Sequence, residues 1–549
     1  MSSPPEKPKS TRREFLAGVA GAIVGLAVGA AAGSAAFPRK ITETVTQTAT
    51  QTIERTATAT VTQTVTQKVE VKPWLPEKWD YETDVVVIGA GGAGLSAAIA
   101  AHDAKAEVII LEKAPSSYFS STALSVGYFA AAGTRFQKSQ GIQDSPDLFY
   151  EDVMKEGEYT NNPELLRTFV DNAAETLDWL EENGLKITTL GYYAGFRVNR
   201  MHLAEGGGKA YIDVLDKLRK QRNIPVLYET RATKLLTDPT TSRVIGVEAE
   251  TKGKKIAVKA RRAVIVTTGG FGSNPEIIDK YMLDFRGGLC GSSPEATGDG
   301  LNMCIKVGSD VTHLNYGAWY CTGVTLPGMG RRGIFTRVHY LAWYSGAIYV
   351  NKLGKRFIKE ETAPTAVSYE LMKQPGNTMF VIADQTMWVE WLSRPETQVT
   401  GWSNEQILKE GVKIGIAKSA NTIRDLAIQI GVDPDVLEKT VANYNSYVEA
   451  GVDPEFGRDK EHLRRKIETP PFYAIETRPI LMVCVGGVRV NASCQVLDPY
   501  GNPIPGLYAA GEVIGGLHGK KYIGGDALGS AITLGRVAGK KAAAEMPWE

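Results

Sequence analysis

An α/β fold with a parallel sheet covered by helices on both faces is the architecture this 549-residue sequence predicts. Residues 83–94 read TDVVVIGAGGAG, a continuous apolar run that ends in a GxGxxG turn. Residues 93–104 follow with helical character, and residues 108–111 form a second short apolar run. Strand, glycine turn, helix and strand in that order are the opening unit of a Rossmann-like, doubly wound sheet. Further segments fit. Residues 163–183 and 208–221 read as amphipathic helices, and residues 226–228, 244–250 and 263–267 as strands.

Taken in chain order, residues 1–37 are expected to be a signal. Thr11-Arg12-Arg13-Glu14-Phe15-Leu16 precedes an apolar run rich in Ala and Gly, the pattern of twin-arginine export, which carries folded cargo. Small residues at 34–36 suit cleavage, and an uncleaved run would remain as a membrane tether. A plain N-terminal membrane helix is the competing reading. The expected location is periplasmic or otherwise extracytoplasmic. Residues 38–77 hold a low-complexity Thr/Val/Gln tract without a large apolar face, read as an extended stalk.

Bulk composition removes several function classes. Hydrophobic content of 43% against 22% charged residues allows a large core, and a formal net charge of +1 gives no reason to expect nucleic acid. The five cysteines, at 290, 304, 321, 484 and 494, show neither CxxC nor CxxCH spacing. No metal site, redox dithiol or attached c-type haem is expected, and the cysteines read as buried free thiols, with one disulfide left open for an exported protein.

The turn at residues 89–94 has the spacing of a dinucleotide site. Gly89 makes the tight turn, Gly91 admits a pyrophosphate, and Gly94 lets helix and strand pack, with the helix N-terminus facing the phosphates. The second strand ends on Glu112, about 20 residues past the turn, where a ribose hydroxyl needs an acceptor.

Residues 506–535, GLYAAGEVIGGLHGKKYIGGDALGSAITLG, indicate which dinucleotide. This stretch resembles the C-terminal FAD-contacting segment of the fumarate reductase and succinate dehydrogenase flavoprotein superfamily, which also contains 3-ketosteroid dehydrogenases. The resemblance recurs in family order at residues 267–271 (TTGGF), 298–300 (GDG), 346–357 (GAIYVNKLGKRF), 470–474 (PPFYA) and 486–487 (GG), and spans nearly everything from 84 to 544. It implies a discontinuous FAD-binding domain, residues 78–304 and 468–549, with an inserted α+β capping domain at 305–467 closing a substrate cleft over the flavin.

The cofactor-binding set implied is Gly89, Gly91, Gly92, Ala93, Gly94, Glu112, Lys113, Ser121, Thr122, Ser125, Gly127, Ala232, Thr268, Gly269, Gly511, Glu512, Gly525, Ala527 and Leu528. Histidine is absent between Lys113 and Gln137, so the linking histidine of covalent relatives is missing and noncovalent FAD is expected.

At the chemical centre the sequence departs from fumarate reductases. Pro364 stands where they carry a general-acid arginine and cannot donate a proton; Met482-Val483-Cys484 replaces a histidine segment; and HGKKY, residues 518–522, replaces HGxxR. Tyr522 resembles the 3-ketosteroid dehydrogenase arrangement, in which a phenol hydrogen-bonds the substrate carbonyl. Arg337, His339, Tyr340 and Tyr344 are further catalytic candidates, and Tyr128 is another candidate phenol. The expected function is FAD-dependent hydrogenation or dehydrogenation of a C–C bond next to a carbonyl or carboxyl group, by hydride transfer at flavin N5. Two alternatives stay open: a fumarate reductase-like enzyme using Arg337 and Arg332 on unsaturated carboxylates, and a non-catalytic electron-transfer subunit. The expected partners are a small-molecule substrate and a separate electron donor or acceptor, such as a cytochrome, a quinone-linked protein or a small acceptor.

Overall fold

The computed structural model describes residues 44–49, 63–68, 76–193, 195–325, 328–393, 410–413 and 415–548. The expected signal at 1–37 lies outside them. Within the Thr-rich tract, Thr44–Ala49 pairs antiparallel with Gln63–Lys68. The pairing is in keeping with the tract's alternating β-branched residues.

The larger sheet starts at β1 (Tyr81–Ile88), whose C-terminal half is buried because sheet neighbours and helices cover both its faces. Helix α1 (Gly92–Asp103) follows the glycine turn, and β2 (Val108–Leu111) pairs parallel with β1, Val86 opposite Ile109. On the other side of β1 lies β3 (Lys254–Val266), parallel, with Val264 opposite Val86. A long antiparallel strand, β4 (Phe472–Cys484), belongs to the second sheet, and β5 (Pro503–Ala509) returns to lie parallel beside β3, Val264 opposite Leu507. The chain closes on α2 (Asp526–Ala543).

Helix α1 is buried through its first ten residues because it is sandwiched between the sheet and α2. The two helices touch through glycines. A Cβ on Gly535 would stand 2.4 Å from the Ala93 carbonyl oxygen, and one on Gly539 2.1 Å from that of Ala97. The Ser96 hydroxyl adds a 3.0 Å bond to the Ile532 carbonyl.

The second sheet is mainly antiparallel and gathers Gly317–Val324, Ile348–Asn351, Met379–Ala383 and Ala417–Ala420 around β4. Helices such as Gln385–Leu392 and Pro434–Ala450 pack against it. It has its own core, running from Cys321 to Ile475, with Trp391, Tyr349 and Tyr444 among its fully buried side chains. Because β4 is one continuous strand, its start (Phe472–Ile475) lies in this smaller core while Leu481 and Cys484 lie in the larger one. Arg356, from the GKRF segment, sits in the smaller core with Glu360 at 2.7 Å and Asp453 at 2.8 Å, all without solvent exposure. A buried guanidinium needs such paired carboxylates, so this motif arginine is structural.

All five cysteines are buried and free. Among the described residues no group of His, Cys, Asp or Glu could hold a metal ion, and no helix is long and apolar enough to cross a membrane.

Candidate active site

A cavity of about 1380 Å³ opens between the two sheets. Ligand pockets for single small molecules run to roughly 1,000 Å³, so the space suits a large cofactor together with a substrate. One wall is the glycine turn, β2's end and α2's N-terminus; the other comes from residues 317–369.

The turn is shaped by close backbone approach. Gly89 has φ +106°, and a Cβ there would lie 2.5 Å from the Thr267 carbonyl oxygen. Glu112 at the end of β2 accepts from the Ala90 amide at 2.6 Å and the Ala114 amide at 2.8 Å. Burial nonetheless pushes its pKa up, with the two backbone donors opposing that shift. The Thr122 hydroxyl accepts from Gly92 at 3.1 Å, while the buried Thr268 hydroxyl has no partner among the described residues. Gly511, Gly525, Ala527 and Leu528 complete the wall, so small residues and a helix N-terminus face the cavity. This donor set and shape fit FAD.

All of the expected cofactor residues line the cavity except Gly94. Gly94 faces the strand, where a Cβ would stand 1.9 Å from the Gly89 carbonyl oxygen, so it serves packing and not contact. Lys113 is held by Thr297 at 2.7 Å and Asp299 at 3.0 Å. Glu512 takes the Cys484 amide at 2.9 Å and is raised in pKa by burial, so its carboxylate also ties the end of β4 to the site.

Tyr522, Tyr340, His339 and Arg337 line the cavity as expected, and Tyr128 does too. Tyr344 does not. It lies on the π-helical turn Leu341–Ser345 and packs against Tyr340, with ring centroids 5.2 Å apart, because the turn carries it off the cavity wall. His339 is 5% exposed, and burial with nearby Arg337 pushes its pKa down to about 3, so it is neutral and no proton carrier near pH 7.

Sequence reading missed two phenols. Tyr193 and Tyr320 hydroxyls lie 3.3 Å apart, both on the cavity wall with Tyr522. Burial raises all three phenols, and each feels at least one of the others, so the cluster is neutral. Tyr522 is half-buried and meets His518 edge-on at 5.4 Å. Phe335 stacks edge-on against Tyr320 at 5.1 Å, and Trp343 adds a further ring. The sequence near Tyr193 carries no motif that would have drawn attention to it.

Residues 84–528 match the family described as FAD binding domain. The chain belongs to this family. The fumarate reductase (cytochrome) of Shewanella frigidimarina is 35% identical over 464 residues, covering 84% of this chain and 77% of that protein. Among solved structures, the open conformation of a flavocytochrome c3 fumarate reductase is 32% identical with a TM-score of 0.74, covering 85% of this chain and 78% of that one. The 3-ketosteroid-Δ4-(5α)-dehydrogenase from Rhodococcus jostii RHA1 is 27% identical with a TM-score of 0.65, covering 85% and 98%. The protein is an FAD-dependent oxidoreductase of CH–CH or C=C groups, and the expected α/β flavoprotein fold holds.

Proposed function

We propose that the protein transfers hydrogen across a C–C bond conjugated to a carbonyl group, with the carbonyl oxygen held by Tyr522. The observation that carries this reading is the neutral phenol cluster of Tyr522, Tyr320 and Tyr193 in the same cavity as the glycine turn. FAD held there by the glycine turn and α2's N-terminus would supply hydride-transfer chemistry. A phenol donating to the carbonyl oxygen draws charge out of a C=C bond during reduction and stabilises an enolate during dehydrogenation. Phe335, Tyr340 and Trp343 give an apolar wall that takes a flat substrate and keeps water out. Pro364 also lines the cavity and offers no proton. The test is anaerobic: photoreduced enzyme is mixed with neutral cyclic enones or with fumarate, and flavin reoxidation is followed. Fast reoxidation by fumarate with none by enones would overturn the reading.

A second reading, reduction of an unsaturated carboxylate, is favoured by Arg332. This guanidinium lines the cavity and bonds the Ser273 hydroxyl at 3.2 Å, and among the described residues no carboxylate pairs with it. The fumarate reductase named above supports it among the relatives.

The flavin is held without a covalent link, for want of a histidine between Lys113 and Gln137. Electrons reach or leave it through a separate carrier, a cytochrome being the type that the relatives' names favour. Arg12 and Arg13 direct export of the folded protein to an extracytoplasmic location, with the apolar run as a tether if it is not cleaved.

A further inference from the structure

We propose that Lys520 and Lys521 form a carboxylate-binding subsite at the mouth of the cavity, so that the substrate is a flat enone or ketone bearing a remote carboxylate. The proposal rests on the Tyr522 reading above and extends it to the other end of the substrate.

Both lysines line the cavity, as does Glu158. Lys520 Nζ lies 3.0 Å and Lys521 Nζ 3.2 Å from the Glu158 carboxylate. One carboxylate thus serves two ammonium groups, which together carry six N–H donors and leave a net positive charge on the trio. Glu156 also lines the cavity and acts on Tyr193. The lysine side chains are 37% and 57% exposed, whereas Tyr522 next to them is strongly desolvated. The cavity therefore changes from cationic at its rim to neutral and aromatic inside. A substrate with a carbonyl at one end, an apolar body and an anion at the other matches that order.

The subsite is built on a fixed frame. Asn162 donates its amide to the Gly516 carbonyl at 2.7 Å, Asn161 its side-chain amide to Leu517 at 2.7 Å, and Lys520 its amide to Gly157 at 3.3 Å. These bonds stitch residues 157–162 to 516–520. Glu158 and Tyr159 both sit at φ +56°, a left-handed conformation costly for residues with a Cβ, which aims Glu158 at the lysines. An incoming carboxylate joins Glu158 or displaces it from one lysine.

The test uses the full-length, FAD-loaded protein and two ligands, a Δ4-3-ketosteroid with a side-chain carboxylate and the methyl ester of the same compound. Binding is read from the change in flavin absorbance, turnover from flavin bleaching or reoxidation. The acid should bind roughly tenfold tighter than the ester, the effect of two partly exposed ion pairs. The preference should shrink at high salt and vanish in Lys520→Gln/Lys521→Gln, while Lys520→Arg/Lys521→Arg keeps it. Equal affinity for acid and ester in the wild type overturns the subsite, as does a preference that survives the glutamine pair. Preferential binding of the acid without turnover of either compound keeps the subsite and overturns the Tyr522 reading. Binding of neither overturns both.

Discussion

The Ala90 amide donates to the Glu112 carboxylate at 2.6 Å, joining the glycine turn to the end of the neighbouring strand. With Ala114 donating to the other oxygen, the carboxylate is fixed in the cavity wall. Glu112→Ala should weaken FAD binding by about 10- to 100-fold, the loss of a hydrogen bond to a charged acceptor. Reconstitution of apoprotein with FAD, followed by fluorescence, measures it. Unchanged affinity would mean the carboxylate serves the turn alone.

Acid precipitation should release yellow FAD into the supernatant, since Ser121 and Thr122 line the cavity and no histidine lies between Lys113 and Gln137. Flavin that stays with the pellet would show a covalent link through another residue.

Replacing Tyr522 with phenylalanine should preserve FAD content and lower turnover by roughly 10²- to 10⁴-fold, the range for a lost acid or oxyanion donor. Stopped-flow flavin reduction or reoxidation reads the chemical step. A loss below threefold assigns Tyr522 to packing at the cavity wall.

Acidification should destabilise the fold through its buried histidines. Burial lowers His202 to about 4, His339 to about 3 and His518 to about 4, so the folded protein holds them neutral. The unfolded chain protonates its histidines near 6.5, so stability is full above that pH and falls as pH drops from there toward 4. Each histidine contributes a slope of about 1.4 kcal/mol per pH unit. Urea midpoints at pH 7, 6 and 5 test this, and His202→Gln should flatten the curve. The buried carboxyls of Glu112, Glu512 and Asp526, raised in pKa, contribute the opposite slope, so a slope that His202→Gln leaves unchanged is the result that would contradict the burial of this ring.

Arg12→Lys/Arg13→Lys should leave folded, flavin-loaded protein in the cytoplasm, because the pair keeps its charge and loses the guanidinium pattern. Cell fractionation decides it, and normal export would point to a plain signal or anchor.

The cofactor side of the site was legible because a dinucleotide imposes local spacing. Gly89, Gly91 and Glu112 are recognisable within one strand–helix–strand unit, and Gly511 to Leu528 within one turn and helix. Gly94 was expected both to pack and to contact the cofactor, and it packs against the Gly89 carbonyl without lining the cavity. The substrate side depends on distant segments folding onto one another. Tyr193 follows a short strand ending at Gly191, while Tyr320 comes from the second sheet, 127 positions later, and no periodicity announces their 3.3 Å meeting. Tyr344 shows the converse, since proximity in sequence to Tyr340 does not fix direction on a π-helical turn.

The contact of α1 with α2 through Gly535 and Gly539 bears on the order of synthesis. The glycine turn leaves the ribosome long before the helix that completes its wall. Until α2 has been made, the wall that holds the glycine turn is incomplete, and a nascent polypeptide carries no complete flavin cradle. Cofactor loading thereby waits for α2, and a stop between residues 94 and 526 yields a product that lacks α2 and the part of the cradle it builds, even though the GxGxxG turn is intact.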